Sequence, residues 1–562
     1  MTAKTKSDRF RRLISHGFFA PELPPCFVSE DLAKYRRSIW AALQAIPPRR
    51  NGGPPAIRTY TSEPSSFYFP RFGRDDRKHG VINPISYLAI AHTISEHFVA
   101  LRKVAKKSGL SASPLVFDWT GQRALFRPSI DLRDDFRVDL ASRMEHFSVA
   151  DIRAFFHSIY THAIPWAIYG KAWAKQNRSY THFGNLLDLY CRNAQDGQTI
   201  GLPVGPDTSR LIAEVVASAI DVSLRNRINV TNKTASRYVD DYTIGSVDGA
   251  NGESLIAALR QAAASYELEL NSDKSAVFPT SVRFSSGWKQ AVRDYIPSGD
   301  LSFSSFQRFF YEVGRVCVEQ PDINAEKFAF QNARSAFVLA LEWDRIQGQL
   351  INAYRRNSSL VSFLVEILIL REVAHGDVNR ASLKSFLESR LPALASENRT
   401  GEIIWLLFLA LRLQVELPAK RIEALFEIEN SMVALLVNVA ASRNVVSGNV
   451  DYSTWSSFLS DDALQGPMWL YAYESVRQGV NPVGNSDFIE NNPFFSPLLD
   501  KKISFLAIDE GFTSVASVLR SRRGENSRQQ RLRLDFLSDF EFETEEFDED
   551  LDDLNGQDVD IY

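Results

Sequence analysis

The stretch SRYVDDYTIGS, Ser236 to Ser246, sets two adjacent carboxylates, Asp240 and Asp241, between two short runs of strand-forming residues. Aromatic and β-branched residues flank the pair, and Asp is a favoured turn residue, so the segment reads as a hairpin with the aspartates at its tip. A hairpin tip can hold two aspartates in solvent without any function. The surrounding sequence has to separate a bare turn from a site.

Upstream, HFSVADIRAFFHSIYTHAIPWAIYGK (146–171) is a strand-like run that delivers Asp151, then two aromatics and a helix. Ions of the magnesium type take oxygen ligands, and a two-metal phosphoryl-transfer site needs carboxylates from separate elements to hold ions roughly 3.5–4 Å apart. Asp151, Asp240 and Asp241 supply such a set for Mg²⁺ or Mn²⁺. Between them, GLPVGPDTSRLIAEVVASAIDVSL (201–224) opens on a stiff Gly/Pro turn that includes Gly205. Asp207 or Thr208 can cap the helix that follows, and Leu211, Ile212, Val215, Val216, Ala219 and Ile220 give it one buried face. After the hairpin, LELNSDKSAVF places Lys274 within reach of a phosphate leaving group, although a lone lysine is more often simply solvated.

The order Asp-x-x-x-Phe-Phe, Gly-Leu-Pro-x-Gly-Pro, Tyr-Val-Asp-Asp, Leu-Asn-x-x-Lys resembles, element for element, the palm of a reverse transcriptase over about residues 66–280. The wording SIYTHAIPWAIYGK, GLPVGPDTSRLIAE and RYVDDY is similar to the abortive-infection and related defence reverse transcriptases of bacteria, the AbiK-like group. The resemblance implies an α+β fingers-palm in which Asp151 and Asp240 ligate the metals and Asp241 supports them. Phe156 would block a sugar 2′-hydroxyl, and Lys274 would neutralise the departing pyrophosphate. In the fingers stretch FYFPRFGRDDRKHGVINPISY, Arg71, Arg74 and Lys78 are the candidate triphosphate clamps, and Asp75 and Asp76 could equally pair with them. The chain departs from the pattern twice. Val204 stands where many reverse transcriptases have Gln, and SSGWKQAVRDYIP (285–297) offers no primer grip or basic thumb helix.

At 562 residues there is room for several domains. The composition divides the chain into a basic N-terminal extension (1–65), fingers and palm (66–285), an all-helical region (286–520) and an Arg-rich, then acidic tail (521–562) expected to be disordered. Segments such as SLVSFLVEILILREVA and GEIIWLLFLALRLQV show helical apolar spacing without a fixed repeat length, and the family resemblance implies a HEAT-like stack. The net charge of -4 is unevenly spread: residues 1–107 hold 19 Lys or Arg against 8 Asp or Glu, whereas 535–562 hold 13 acids and no base. The basic end is either a solvated surface or a nucleic-acid contact. Cys26, Cys191 and Cys317 match no metal spacing and fit a reducing cytoplasm, and the longest apolar run, Ile403–Leu411, is far short of a bilayer span.

These features predict a nucleotidyltransferase. The resemblance implies a phage-defence enzyme that builds single-stranded DNA from dNTPs, without a template, on a protein primer to which the DNA stays attached, in a homo-oligomer (trimer or hexamer). The alternatives are cDNA synthesis on a bound noncoding RNA, or an inactive palm serving as a scaffold for a partner-binding helical region. A priming tyrosine must be mobile and exposed. Tyr60, in the polar, Pro-containing AIRTYTSEPSS, meets that texture best, followed by Tyr35 in AKYRRSIW and the terminal Tyr562.

Overall fold

The computed structural model describes residues 4–281 and 287–513. The tail 521–562, with Tyr562, lies outside the described residues. At the centre is a four-stranded antiparallel sheet in the order β4-β5-β3-β6, built from β3 (His146–Asp151), β4 (Ala235–Tyr238), β5 (Asp241–Ser246) and β6 (Ala276–Pro279). Ser148 and Ala150 of β3 and their partners Ile244 and Tyr242 of β5 are buried, so each strand has a side that water cannot reach. The helices Asp207–Arg225 and Gly249–Ala264 pack together, and the second lies across the sheet, where Ser148 Oγ donates to the Gly252 carbonyl at 3.0 Å.

The fingers stretch folds as an antiparallel hairpin of β1 (Ser65–Arg71) and β2 (Arg74–Val81), closed by Phe72 and Gly73. Its outer edge is not free. Tyr68 N–H donates to Thr400 Oγ1 at 3.0 Å, Asn430 Nδ2 donates to the Ser66 carbonyl at 2.7 Å, and Ser65 Oγ donates to the Pro467 carbonyl at 2.6 Å. Gly401 makes this approach possible, because a Cβ there would sit 2.4 Å from the Tyr68 carbonyl oxygen.

From Gly287 onward the described chain is helical apart from a two-residue parallel pairing of Leu417–Pro418 with Val446–Ser447. The apolar run Ile403–Leu411 is apolar on all sides because its helix, Thr400–Leu413, is buried on all sides. No helix among the described residues is long and apolar enough to cross a membrane. Trp405, Phe408, Trp469 and Tyr471 are all core. The N-terminal stretch is likewise no loose extension. Helices α1 (Lys6–Gly17) and α2 (Glu30–Ala45) belong to the same hydrophobic core as the palm and the helical region. Phe18 packs against Tyr87, Trp469 and Phe505, and Trp405 Nε1 donates to the Glu22 carbonyl at 2.7 Å. Cys26 and Cys191 are buried free thiols and Cys317 is a half-buried one.

Candidate active site

The sheet brings the three expected carboxylates to one end. Asp151 closes β3 and Asp241 opens β5, and the two are direct cross-strand partners. Asp240 sits one residue earlier in the two-residue turn, its carbonyl accepting from Ile152 N–H at 3.2 Å. The turn itself is strained: Val239 has φ +60°, a left-handed conformation that a β-branched residue rarely adopts. Such strain persists only where the surroundings over-determine it.

Arg237 supplies that constraint. It is fully buried, and its Nη1 donates to the Val239 carbonyl at 2.8 Å. Its other donors reach Glu214 (2.8 and 3.0 Å) and Asp221 (2.8 and 3.0 Å), both on the helix Asp207–Arg225. Tyr242 Oη and Ser108 Oγ add bonds to Asp221 at 2.7 and 2.5 Å. Burial opposes the charge on Arg237, but Asp221 and Glu214 outweigh it and hold the guanidinium protonated.

The other side of the turn lacks this balance. Burial, then the charges of Asp151 and Asp241, push the Asp240 carboxyl up to about 6. Asp151 is also raised, by burial and by Asp241, with Lys274 opposing. Lys274 Nζ donates to Asp151 Oδ2 at 2.5 Å, and Arg133 Nη1, from the helix Asp131–Ala141, donates to Asp241 Oδ2 at 3.1 Å. Among the described residues, no three Asp, Glu, His or Cys side chains stand assembled as a metal cluster. Two of the three acids face cationic side chains, and their mutual repulsion is the chemistry a divalent cation relieves, so the donor set suits a hard, oxygen-preferring ion.

The Gly/Pro loop lies against the Phe156 segment, with Leu202 N–H donating to the Phe156 carbonyl at 2.7 Å and Gly201 N–H to that of Ile159 at 2.8 Å. Phe156 is only half-buried and packs edge-on against the buried Phe155. Gly205, at φ +126°, passes so close to the N-terminal segment that a Cβ would meet Ala20 Cβ at 2.5 Å. Gly205 thus holds the loop in place rather than lying open to a ligand. Neither Asp207 nor Thr208 caps the helix: Pro206 stands at the cap position, and the Asp207 carboxylate instead accepts from Ala124 and Leu125 N–H at 3.0 and 3.1 Å and from Arg123 at 2.8 Å. The fingers approach the same place, because Gly80 N–H donates to the Val204 carbonyl at 3.0 Å. The His157 ring bonds the Lys78 backbone, and its pKa is lowered by desolvation and by Arg77, Lys78 and Arg71. Arg74 and Lys78 are exposed, and Arg71 turns back onto the Asp75 carbonyl at 2.9 Å. Asp76 pairs with Arg399 of the helical region at 3.2 Å, not with the fingers cations.

Residues 99–286 match the family model of reverse transcriptase (RNA-dependent DNA polymerase). The chain carries a reverse-transcriptase domain. A solved structure of apo telomerase from Candida tropicalis is similar to the chain at 9% identity and a TM-score of 0.31, covering 83% of this chain and 77% of that one. No curated protein matches.

Around the reverse-transcriptase domain, the tyrosine expectations need correction. Tyr60 is not on an exposed loop: it is 2% exposed, packs on Phe494 with ring centroids 4.4 Å apart, and its hydroxyl donates to Asn83 Oδ1 at 3.3 Å. Burial pushes that phenol far above its usual pKa. Its polar neighbours are covered by the helical region, from which Gln465 accepts a bond from Glu63 N–H at 2.7 Å. Tyr35 is half-buried on α2 with Lys34 over its ring. Tyr68, Tyr180 and Tyr311 are the exposed tyrosines among the described residues, and none stood out in the sequence. Arg133 and Arg237 were also missed. The only signal was Arg237 directly before the Tyr-x-Asp-Asp string, since the acids that explain it lie 16 and 23 positions away.

Proposed function

We propose that the chain is a DNA polymerase that joins dNTPs at Asp151, Asp240 and Asp241, with Mg²⁺ or Mn²⁺ held by Asp151 and Asp240 and steadied by Asp241. The observation that carries this is the meeting of the three acids at one end of the sheet, with the Asp240 carboxyl raised by its neighbours and Lys274 at their side. Bound there, the cations would assist deprotonation of the attacking hydroxyl and offset charge on the phosphates. The hydroxyl oxygen bonds to the α-phosphorus, the bond to the β-phosphate oxygen breaks, and pyrophosphate leaves. In this reading Lys274 exchanges Asp151 for the leaving phosphates. Phe156 meets the sugar at its 2′ position, and Arg71, Arg74 and Lys78 hold the triphosphate, with Gly205 shaping the floor.

The role in phage defence, protein priming without a template, the HEAT-like character of the helical region and a trimeric or hexameric assembly belong to the same proposal and rest on the motif resemblance. Priming by this chain falls to Tyr35, to Tyr562 or to an exposed tyrosine, not to the buried Tyr60. RNA-templated synthesis is a second reading, favoured by the match to an RNA-dependent polymerase family. The test is incubation of purified protein with Mg²⁺ and labelled dNTPs, with and without an RNA template and DNA primer. A labelled protein band from dNTPs alone supports protein priming, and peptide mapping then names the tyrosine. Product only with template and primer supports the second reading. No incorporation in either arm overturns the polymerase and leaves the scaffold.

A further inference from the structure

The N-terminal helices enclose a cavity of about 920 Å³ that shares no lining residue with the carboxylate site. Lys4, Arg11, Arg12, Lys34, Arg36 and Arg37 line it, against three acids, Asp8, Glu30 and Asp31. The acids serve helix ends. Asp8 closes a capping box with Thr5, and Glu30 accepts from Ser29 N–H at 3.0 Å at the start of α2. Arg36 and Arg37 make their hydrogen bonds elsewhere. Arg36 Nη2 and Arg37 Nη2 both converge on Ser7 Oγ, at 2.8 and 2.6 Å; Arg36 also donates to the Ser7 and Ala33 carbonyls at 3.2 and 2.8 Å, and its buried Nε has no hydrogen-bond partner.

Two guanidiniums aimed at one neutral oxygen repel each other and leave donors in excess, an arrangement that an anionic oxygen would complete. His16, on the wall of the same cavity, is lowered to about 4 by burial first and then by Arg12, Arg123 and Arg11. At the rim stands Trp119, half-buried, stacked on Phe117 with centroids 5.2 Å apart and with Lys4 5.4 Å from its ring centre. An aromatic face beside a row of cations matches a ligand that alternates bases with phosphates. The groove is also tied to the polymerase loop. Arg12 donates to the carbonyls of Asp118 (2.6 Å) and Arg123 (2.9 Å), and Arg123 Nη2 in turn donates to the Gly205 carbonyl at 3.0 Å.

We propose that this groove binds single-stranded nucleic acid, its phosphates on Arg11, Arg36 and Arg37 and a base on Trp119. It is a second contact, outside the catalytic end of the sheet, and it gives the domain a hold on a strand that the carboxylate site alone does not provide.

The test measures anisotropy of a 5′-labelled 20-nucleotide oligo-dT with the full chain in EDTA, so that binding is read without catalysis. Arg36→Ala/Arg37→Ala should weaken binding at least tenfold and lower the salt slope by about 1.4, the loss of two single-strand phosphate contacts. Trp119→Ala should weaken it at least about fivefold with the slope unchanged. Because Arg36 is half-buried, Arg37→Glu, at an exposed position, is the companion variant, and it should also lose at least tenfold with an unaltered melting temperature. Unchanged affinity and slope in these variants overturns the proposal, as does competition by inorganic triphosphate with no binding of the oligonucleotide. Asp240→Asn should bind the oligonucleotide like wild type, so failure of the catalytic reading registers separately.

Discussion

Two charged clusters lie on opposite sides of one hairpin turn. Beneath it, Glu214 and Asp221 surround Arg237, and every strong donor of the guanidinium meets an acceptor. Above it, Asp151, Asp240 and Asp241 crowd together with Lys274 and Arg133 bonded to two of them, and the central carboxyl is pushed up to about 6. The buried cluster is closed and can be read as architecture. The open one holds repulsion that folding alone does not require, and such imbalance marks a place where chemistry happens.

The sharpest way to break this contrast is to change one acid on each side. Asp240→Asn removes a charge from the open cluster, so incorporation of dNTPs should fall at least a hundredfold while the melting temperature holds or rises. Intact incorporation by Asp240→Asn or Asp151→Asn would place catalysis elsewhere. Arg237→Met acts in the opposite sense. It leaves Glu214 and Asp221 buried without their cation, and the loss should be about 3–5 kcal/mol of stability by denaturant titration. A loss below about 1 kcal/mol would mean that the buried network is not what holds the turn.

A pH series sharpens the comparison further. Asp240 has a folded-state pKa of about 6 against an ordinary 3.8. Its proton is therefore favoured by the fold, and the stability linked to it, present below about pH 4, is lost as pH rises through 6. The metal-free melting temperature of Asp240→Asn should gain on wild type across that window, and Mg²⁺ should narrow the gap above pH 6. A gap that stays constant with pH would contradict the crowding of the acids. The smallest effect is expected at Phe156→Ala. Its ring is half-buried, so the change should cost less than the ~3–5 kcal/mol typical of a core aromatic. Use of ribonucleotides should rise relative to deoxynucleotides, measured in competition on one sample. An unfolded variant would make Phe156 a core residue only.

The line of the site was legible because it is written locally. Asp151 ends an alternating strand, Asp240 ends the turn and Asp241 opens the next strand, and Lys274 follows β5 after one helix, so period and order were enough to place them. What escaped the sequence depends on distant partners. Tyr60 reads as exposed because its neighbours are polar, yet those neighbours are sealed by Phe494 and Gln465, more than 400 positions on. The same holds for the domain outline. Composition suggested a boundary near residue 286, and gave no sign of the bonds that join the two sides, Asn83 Nδ2 to the Leu464 carbonyl at 2.8 Å and Val28 N–H to that of Phe505 at 3.0 Å. Composition reports which segments are helical, and it carries no record of what they are packed against.

The edge of β1 has a further consequence, for how the protein is made. Its bonds to Thr400, Asn430 and Pro467 join groups separated by 332, 364 and 402 positions. During synthesis, at about 5–20 residues per second, that edge emerges roughly 20–80 s before its last partner does. For that interval the fingers hairpin offers unpaired backbone to any passing strand, and the hazard ends only when the helical region arrives to cover it.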